Sequence, residues 1–243
     1  MSFTLYVVFH KFLVPECYET LFPEALDKLR FLAVNAKIPK VVPEDFGHLV
    51  IAERNLPWYD PFLQYNRFCE SSAFFHVWKN AELLNDYIGF FHYDMLIEQP
   101  AIDCLEQEIK ALGNEKVLFT NVTLTARPHI KQILQLDEWN QIIQLYNAMF
   151  GKNHTIFTVL DEELPMYHSF VVHKDTFNRM MTFAEKAIPC LFELIGFDTK
   201  HLPFMLERLH GIFLALERID GRVSRWIPLP GITHLDRLKD SWR

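Results

Sequence analysis

Short apolar runs rich in β-branched and aromatic residues alternate with longer amphipathic segments, and this alternation limits the folds that the chain can adopt. Buried strands are expected at residues 4–9, 49–52, 87–91, 116–120, 169–173 and 223–227. Helical spacing of apolar residues is found at residues 25–32, 70–84, 101–112, 136–150, 175–195 and 202–219. The alternation predicts an α/β fold, a Rossmann-like domain with a mostly parallel central sheet flanked by helices.

Length and charge restrict the class of protein further. The chain has 243 residues, which suits a single domain over residues 1–243, and half of these residues are apolar. The formal net charge of −7 argues against a nucleic-acid-binding surface, which usually has a basic excess. The four cysteines lack metal-ligand spacing and are expected to be reduced thiols. Neither a signal peptide nor a membrane-spanning apolar stretch is found, so a cytoplasmic location is expected.

Polar side chains follow several of the predicted strands. In an open α/β sheet, ligands bind at the carboxyl ends of the strands. That rule selects His10 and Lys11 after the first strand, residues 92–94 after the strand at residues 87–91, and the loop near Thr120. For His10 and Lys11 we expect contact with a nucleotide, and the alternative is an exposed strand end.

His92 and Asp94 are two residues apart at the end of an apolar strand. On an extended chain their side chains point to the same side. Such a pair can hold a divalent cation, which in turn neutralises a diphosphate. The alternative is a strand-end turn in which Asp94 caps the next element.

Two further polar groups are candidates. His168 lies just before the strand at residues 169–173, where the alternative is a structural, hydrogen-bonded histidine. Glu207 and Arg208 are adjacent in an otherwise apolar helix, which favours a pair that faces a pocket over the alternative of a solvated pair. The chain has no GxGxxG, GxxxxGK[ST] or GxSxG motif, so nicotinamide-cofactor, P-loop and α/β-hydrolase interpretations lose their main support.

Three blocks of sequence, in order, resemble those of a known family. They are NRFCESSAFFHVWKN at residues 66–80, DYIGFFHYDM at 86–95, and YHSFVVHKDTFNRM at 167–180 followed by LERLHGIFLALER at 206–218. The chain resembles bacterial capsular-polysaccharide glycosyltransferases with a GT-A-like fold, and related viral glycosyltransferases. The resemblance implies one glycosyltransferase domain, with a nucleotide-binding part at about residues 1–125 and an acceptor-side part at about 126–243.

The resemblance also implies roles for individual positions. The pair at residues 69–70, together with residues 78–80, matches the family's helix beside the nucleotide. Residues 92–93 match its strand-end signature, and residues 207–208 match its late Glu-Arg motif. This chain departs from the family at Asp94, because the family usually has basic residues after the His-Tyr pair. An Asp there restores something like the Asp-x-Asp metal site of other GT-A enzymes.

The sequence therefore predicts transfer of a sugar from a nucleoside diphosphate sugar to a hydroxyl of a glycan or polysaccharide acceptor. His92 and Asp94 are the predicted ligands of Mn²⁺ or Mg²⁺, which would stabilise the leaving diphosphate. Glu207 is the predicted base of an inverting reaction, and Arg208 would keep it ionised. The predicted nucleotide-sugar-binding residues are His10, Lys11, Glu70, Tyr93 and His168.

Two other functions remain open from the sequence. A non-catalytic nucleotide-sugar or carbohydrate-binding module could use the aromatic segment with Trp58, Tyr59 and Phe62 to bind sugar rings. A metal-dependent hydrolase would need a dense carboxylate cluster, and Asp94 has no carboxylate near it in sequence.

Overall fold

A computed structural model describes residues 1–120, 123–125, 136–196 and 198–235. Its strands are β1 (Phe3–Phe9), β2 (Leu29–Ala33), β3 (Val50–Ala52), β4 (Tyr87–His92), β5 (Met95–Ile97), β6 (Leu118–Phe119), β7 (Thr123–Thr125), β8 (Glu163–Pro165), β9 (Phe170–His173), β10 (Trp226–Ile227) and β11 (Ile232–His234). Its α-helices are α1 (Pro23–Leu26), α2 (Pro61–Tyr65), α3 (Glu70–Lys79), α4 (Gln99–Ala111), α5 (Leu136–Phe150), α6 (Ile156–Leu160), α7 (Lys174–Leu194) and α8 (Leu202–Ile219). Short 3₁₀ helices lie at Pro15–Cys17, Glu44–Leu49, Glu53–Asn55 and Ala81–Leu83.

Seven strands form one sheet in the order β10-β6-β9-β4-β1-β2-β3. β1 pairs in parallel with both β2 and β4, and β3 continues this parallel half. β9 runs antiparallel to its neighbours β4 and β6. The predicted α/β class, with a mostly parallel sheet flanked by helices, is confirmed.

Alternate residues of the central strands enter different cores. Tyr6 of β1 and Phe90 of β4 pack in a cluster with helices α3, α5, α7 and α8. Leu5 and Phe91 point to the other face and pack with α4. Because both faces of these strands are covered, the strands are apolar along nearly their whole length. The sequence predicts a boundary between a nucleotide-binding part and an acceptor-side part at about residue 125. Residues 126–135 lie outside the described ranges, so this boundary stays an expectation.

One predicted helix is wrong. Residues 25–32 were expected to be helical, but α1 ends at Leu26 and the chain enters β2 at Leu29. β2 lies between β1 and β3 and is buried on both faces, so pairing in the sheet decides its conformation. In a short run of apolar residues, periodicity alone does not distinguish a buried strand from a helix.

Helix α7 begins with a histidine cap. The cap is His173, whose Nδ1 accepts a hydrogen bond from the backbone N–H of Asp175 at 3.2 Å. The Asp175 carboxylate accepts a hydrogen bond from Lys116 at 2.6 Å. None of the described helices is both long and apolar enough to cross a membrane.

Candidate functional site

The strand order changes direction between β1 and β4, and polar side chains gather at the carboxyl ends of these two strands. His10 follows β1, and His92 is the last residue of β4. Because β9 is antiparallel to β4, the residues before β9 reach the same edge of the sheet, and these include Tyr167 and His168. Such an edge, at a change of strand order, is where open α/β sheets bind ligands.

Glu70 joins the ends of the two strands. It is the first residue of α3, and one carboxylate oxygen, Oε1, lies 2.8 Å from Nε2 of His10 and 2.9 Å from Nε2 of His92. Burial alone would raise the pKa of Glu70, but the hydrogen bonds from the two histidines hold that pKa well below its usual value. Cys69, just before it, has φ 50° and ψ −127°, a strained backbone conformation typical of functional segments.

His92 lies between two carboxylates. Its Nδ1 is 2.6 Å from Oδ1 of Asp94, and its Nε2 faces Glu70. Burial disfavours the charged ring, but the hydrogen bonds to Asp94 and Glu70 outweigh burial and raise the pKa of His92 to about 9. His92 is therefore a fixed imidazolium cation at neutral pH.

Asp94 is almost fully buried, with 1% of its side chain exposed. Oδ1 contacts His92, and Oδ2 lies 3.4 Å from Nε2 of His234. Burial acts to raise the pKa of Asp94, and the contacts with His234 and His92 lower it below its usual value. His234 reaches this position because β11 pairs antiparallel with β5, the strand that follows Asp94.

The His234 ring connects this group to Glu207. It stacks on the Tyr167 ring with centroids 4.7 Å apart and an angle of 10° between the planes. The backbone N–H of Tyr167 donates to Oε1 of Glu207 at 3.0 Å, and Nη1 of Arg208 donates to Oε2 at 3.1 Å. Glu207 and Arg208 form an ion pair, with 14% and 11% of their side chains exposed, and their predicted catalytic roles stay predictions.

His168 is buried under this cluster. Its Nε2 lies 3.4 Å from Oγ of Ser71, and its ring packs against Phe74 and His210. Burial lowers the pKa of His168 below its usual value. These contacts support the structural alternative for His168, while its predicted role in sugar binding stays a prediction.

Lys11 and Tyr93 lie at the rim of the same edge. Lys11 is exposed, and Tyr93 packs its ring edge-on against Phe12 at 5.6 Å and beside His92 at 4.6 Å. Thr120 is turned inward, where its hydroxyl donates to the Ser169 carbonyl at 2.9 Å. The predicted loop continues into residues 121–122, which lie outside the described part of the chain.

Lys40 binds the backbone just after the ends of β1 and β2. Its ammonium group donates to the backbone carbonyls of His10, Val34 and Asn35. Beside it, at the ends of β2 and β3, is a cavity of about 340 Å³. Its lining includes Ala33, Lys37, Lys40, Ala52 and Arg54.

The geometry around His92 fits a metal ligand poorly. A metal-bound imidazole presents one unprotonated nitrogen to the ion, and both nitrogens of His92 face carboxylate oxygens instead. Both oxygens of Asp94 face histidine rings. Within the described ranges, no group of three or more His, Cys, Asp or Glu side chains is arranged to hold a metal ion. The Mn²⁺ or Mg²⁺ site at these two residues stays a prediction that the geometry does not support.

Some members of the cluster carried no signal in the sequence. His234 lies in a three-residue strand without a local motif, and only the pairing of β11 with β5 brings it to Asp94. Lys40 lies in a loop segment and reaches His10 across the ends of β1 and β2. The aromatic segment that a non-catalytic module could use to bind sugar rings is partly used in packing, because Trp58 and Tyr59 both contact the buried His76 ring.

Comparison with known proteins establishes the fold. The chain resembles the apo structure of the WbbM bifunctional glycosyltransferase, with a TM-score of 0.61 and 16% identity over 97% of this chain and 46% of that one. The chain thus spans about half the length of WbbM. A weaker likeness is to core-mannan synthase A of Aspergillus fumigatus in its Mn/GDP form, with a TM-score of 0.43 and 9% identity over 88% of this chain and 70% of that one. Another is to the mannosyltransferase Ktr4p of S. cerevisiae, with a TM-score of 0.32 and 11% identity over 87% of this chain and 65% of that one. No model of a protein family and no curated protein sequence matches the chain.

The likeness to WbbM confirms the glycosyltransferase-like fold that the sequence resemblance implies. At 16% identity it extends to the fold alone. The narrower capsular-polysaccharide or viral type stays a prediction.

Proposed function

We propose that the chain transfers a glycosyl group from a nucleoside diphosphate sugar to a hydroxyl group of a glycan acceptor. The observation that carries this proposal is the continuous line of contacts from His10 through Glu70 and His92 to Glu207, across the edge of the sheet. Two histidine rings lie at one end of the line, with the exposed Lys11 next to His10, and they can donate to a diphosphate; the other end holds a carboxylate that suits a proton transfer. The fold shared with a glycosyltransferase adds support.

The donor is proposed to bind along the ends of β1 to β4. Its nucleoside would lie in the cavity beside Lys40, and its diphosphate would face His10 and Lys11, which follow β1. Glu70 would position the two histidine rings by accepting a hydrogen bond from each. Hydrogen-bond donors held in position in this way would stabilise a leaving diphosphate, because they need no reorganisation during the reaction.

Glu207 is proposed to act on the acceptor. The acceptor oxygen attacks the anomeric carbon as Glu207 removes its proton, and the bond from that carbon to the diphosphate oxygen breaks. The electron pair of the broken bond leaves with the nucleoside diphosphate, so the anomeric configuration inverts. Arg208 and the N–H of Tyr167 would hold the Glu207 carboxylate in position through their hydrogen bonds. No step in this scheme passes through a metal ion, and the predicted Mn²⁺ or Mg²⁺ is left to experiment.

The proposal is tested by a panel of UDP-, GDP- and dTDP-hexoses, each with Mn²⁺, with Mg²⁺ and with EDTA. Release of the nucleoside diphosphate and a shift in melting temperature are measured. A true donor stabilises the folded protein by about 2.7 kcal/mol at a hundred times its dissociation constant. If no donor is hydrolysed and none stabilises the protein, the proposal is wrong.

A matched pair of variants links the activity to the site. Glu70→Gln removes the charge that holds His10 and His92, and we expect it to lower donor hydrolysis by about a hundredfold. Glu185→Gln removes a carboxylate from a surface pair with Lys79, where N and O are 2.7 Å apart, and we expect it to change little. If the two variants were equally active, Glu70 and the two histidines that it contacts would have no part in the reaction.

A further inference from the structure

We propose that Tyr167 and Phe204 form an aromatic platform that binds the sugar rings of the acceptor beside Glu207, an inference that rests on the proposed function. Both rings are exposed, with 48% of Tyr167 and 56% of Phe204 accessible. Other aromatic side chains of the chain are as exposed, and these two differ from them in lying beside the Glu207–Arg208 pair.

Tyr167 is held in its position from two sides. Its backbone has φ 54° and that of His168 has φ 49°, a left-handed conformation that non-glycine residues adopt only under strain. The N–H of Tyr167 donates to Glu207, and its carbonyl accepts from the hydroxyl of Ser169 at 3.0 Å. His234 covers part of the ring by stacking. The surroundings therefore fix a strained turn that presents a rigid, half-exposed ring.

Phe204 completes the platform from α8. Phe204, Glu207 and Arg208 lie three and four residues apart, so they share one face of the helix. The Arg208 guanidinium carbon lies 5.8 Å from the centre of the Phe204 ring. Two exposed rings thus flank a carboxylate and a guanidinium, both of which are largely buried.

The chemistry of this surface matches a sugar ring. A pyranose has a face of C–H groups, which an aromatic ring can cover, and an edge of hydroxyl groups, which a carboxylate and a guanidinium can bind. The surface adjoins Glu207, at the opposite end of the line of contacts from His10. That position favours the acceptor over the nucleoside of the donor as the group that stacks here.

The test measures the binding of methyl glycosides of glucose, galactose and mannose by saturation-transfer NMR. We expect transfer to the ring C–H hydrogens with the native chain. Tyr167→Ala and Phe204→Ala should each weaken binding about fivefold to twentyfold, and Tyr167→Phe should retain it, because that variant keeps the ring. Phe157→Ala is the matched control: Phe157 is 75% exposed and lies near His154, whose ring contacts Asp220 at the far end of α8.

Three results would overturn the platform: no binding of any methyl glycoside, equal binding by all four variants, or weakened binding of UDP and GDP in place of the glycosides. The last result would assign the rings to the donor. Should the glycoside binding depend on Tyr167 and Phe204 while no nucleotide sugar is hydrolysed, the platform stands and the proposed transfer reaction is wrong. Melting temperatures of the variants identify any loss of binding that comes from unfolding.

Discussion

Glu207 is the side chain on which the proposed reaction depends most directly. Its two oxygens accept hydrogen bonds from the Tyr167 N–H and from Arg208, so glutamine can retain the first contact but cannot act as a base. We expect Glu207→Gln to lower the transfer rate by roughly a hundredfold or more, with the dissociation constant of the donor nearly unchanged. Single-turnover kinetics and donor titration on the purified variant measure the two quantities separately.

A control for this change is Glu108→Gln. Glu108 also pairs with an arginine, Arg225 at 3.7 Å, but at the surface. Its loss should leave the rate within about a factor of two, since such pairs contribute little. A stable Glu207→Gln protein with full activity would remove Glu207 from the mechanism.

His92 makes the stability of the protein depend on pH. Its pKa is 6.5 in an unperturbed side chain and about 9 in the folded protein, so the native state holds the proton more tightly. The resulting stabilisation is complete below pH 6.5 and is lost as the pH rises through 9; its full size is on the order of 3 kcal/mol. We expect the free energies of unfolding of the native chain and His92→Gln to differ most near pH 6 and to converge above pH 9. Urea unfolding at a series of pH values measures this difference, and a constant difference across the range would mean that the ring is not charged.

At the scale of elements, the close approach of α8 and β8 places Glu207 beside Tyr167. Gly211 lies one helical turn after Glu207, and a Cβ atom there would be 2.8 Å from the carbonyl oxygen of Pro165. Alanine is favoured over glycine inside a helix by about 1 kcal/mol, but overpacking against backbone costs about 1–3 kcal/mol. We expect Gly211→Ala to destabilise the protein and to lower the transfer rate, because the turn that carries Tyr167 is displaced.

Gly47→Ala is the matched control, since a Cβ at Gly47 meets no atom within 4 Å. Thermal unfolding and transfer assays compare the two variants. Were Gly211→Ala as stable and active as the native chain, the close approach of α8 and β8 would have no part in the site.

The elements also differ in how well sequence predicts them. α5 and α8 were expected at residues 136–150 and 202–219, and both have these bounds in the structure. Their apolar residues recur over four turns or more, which gives a clear helical period. β2 was missed, because five residues buried on both faces carry no period and only pairing with β1 fixes their conformation.

At the scale of the whole molecule, one sheet joins the two cores. The described tryptophans at residues 58, 78, 139 and 226 all pack in or against the cluster on the α8 side of the sheet. The fluorescence of these four tryptophans, measured in a Trp242→Phe background, therefore reports on that core, whereas far-UV circular dichroism reports on the entire backbone. Because β1 and β4 contribute side chains to both cores, we expect the two signals to change at the same urea concentration. Two separate midpoints would show that the cores unfold independently.

The sequence by itself determined the α/β class, the apolar central strands, the long helices and several polar residues of the site. It did so because strands buried on both faces and amphipathic helices leave local patterns, and because strand ends in such sheets bear functional side chains. The sequence also placed His92 beside Asp94, although the chain turns after His92 instead of remaining extended.

Only the tertiary structure decided how these residues meet. Glu70 reaches both histidines because α3 begins beside the ends of β1 and β4, and His234 reaches Asp94 because β11 pairs with β5. These contacts also set the charge of the ring, because the hydrogen bonds to Asp94 and Glu70 together raise the pKa of His92. Contacts between residues on different strands and helices leave no local period or spacing in the sequence, so the folded chain alone defines them.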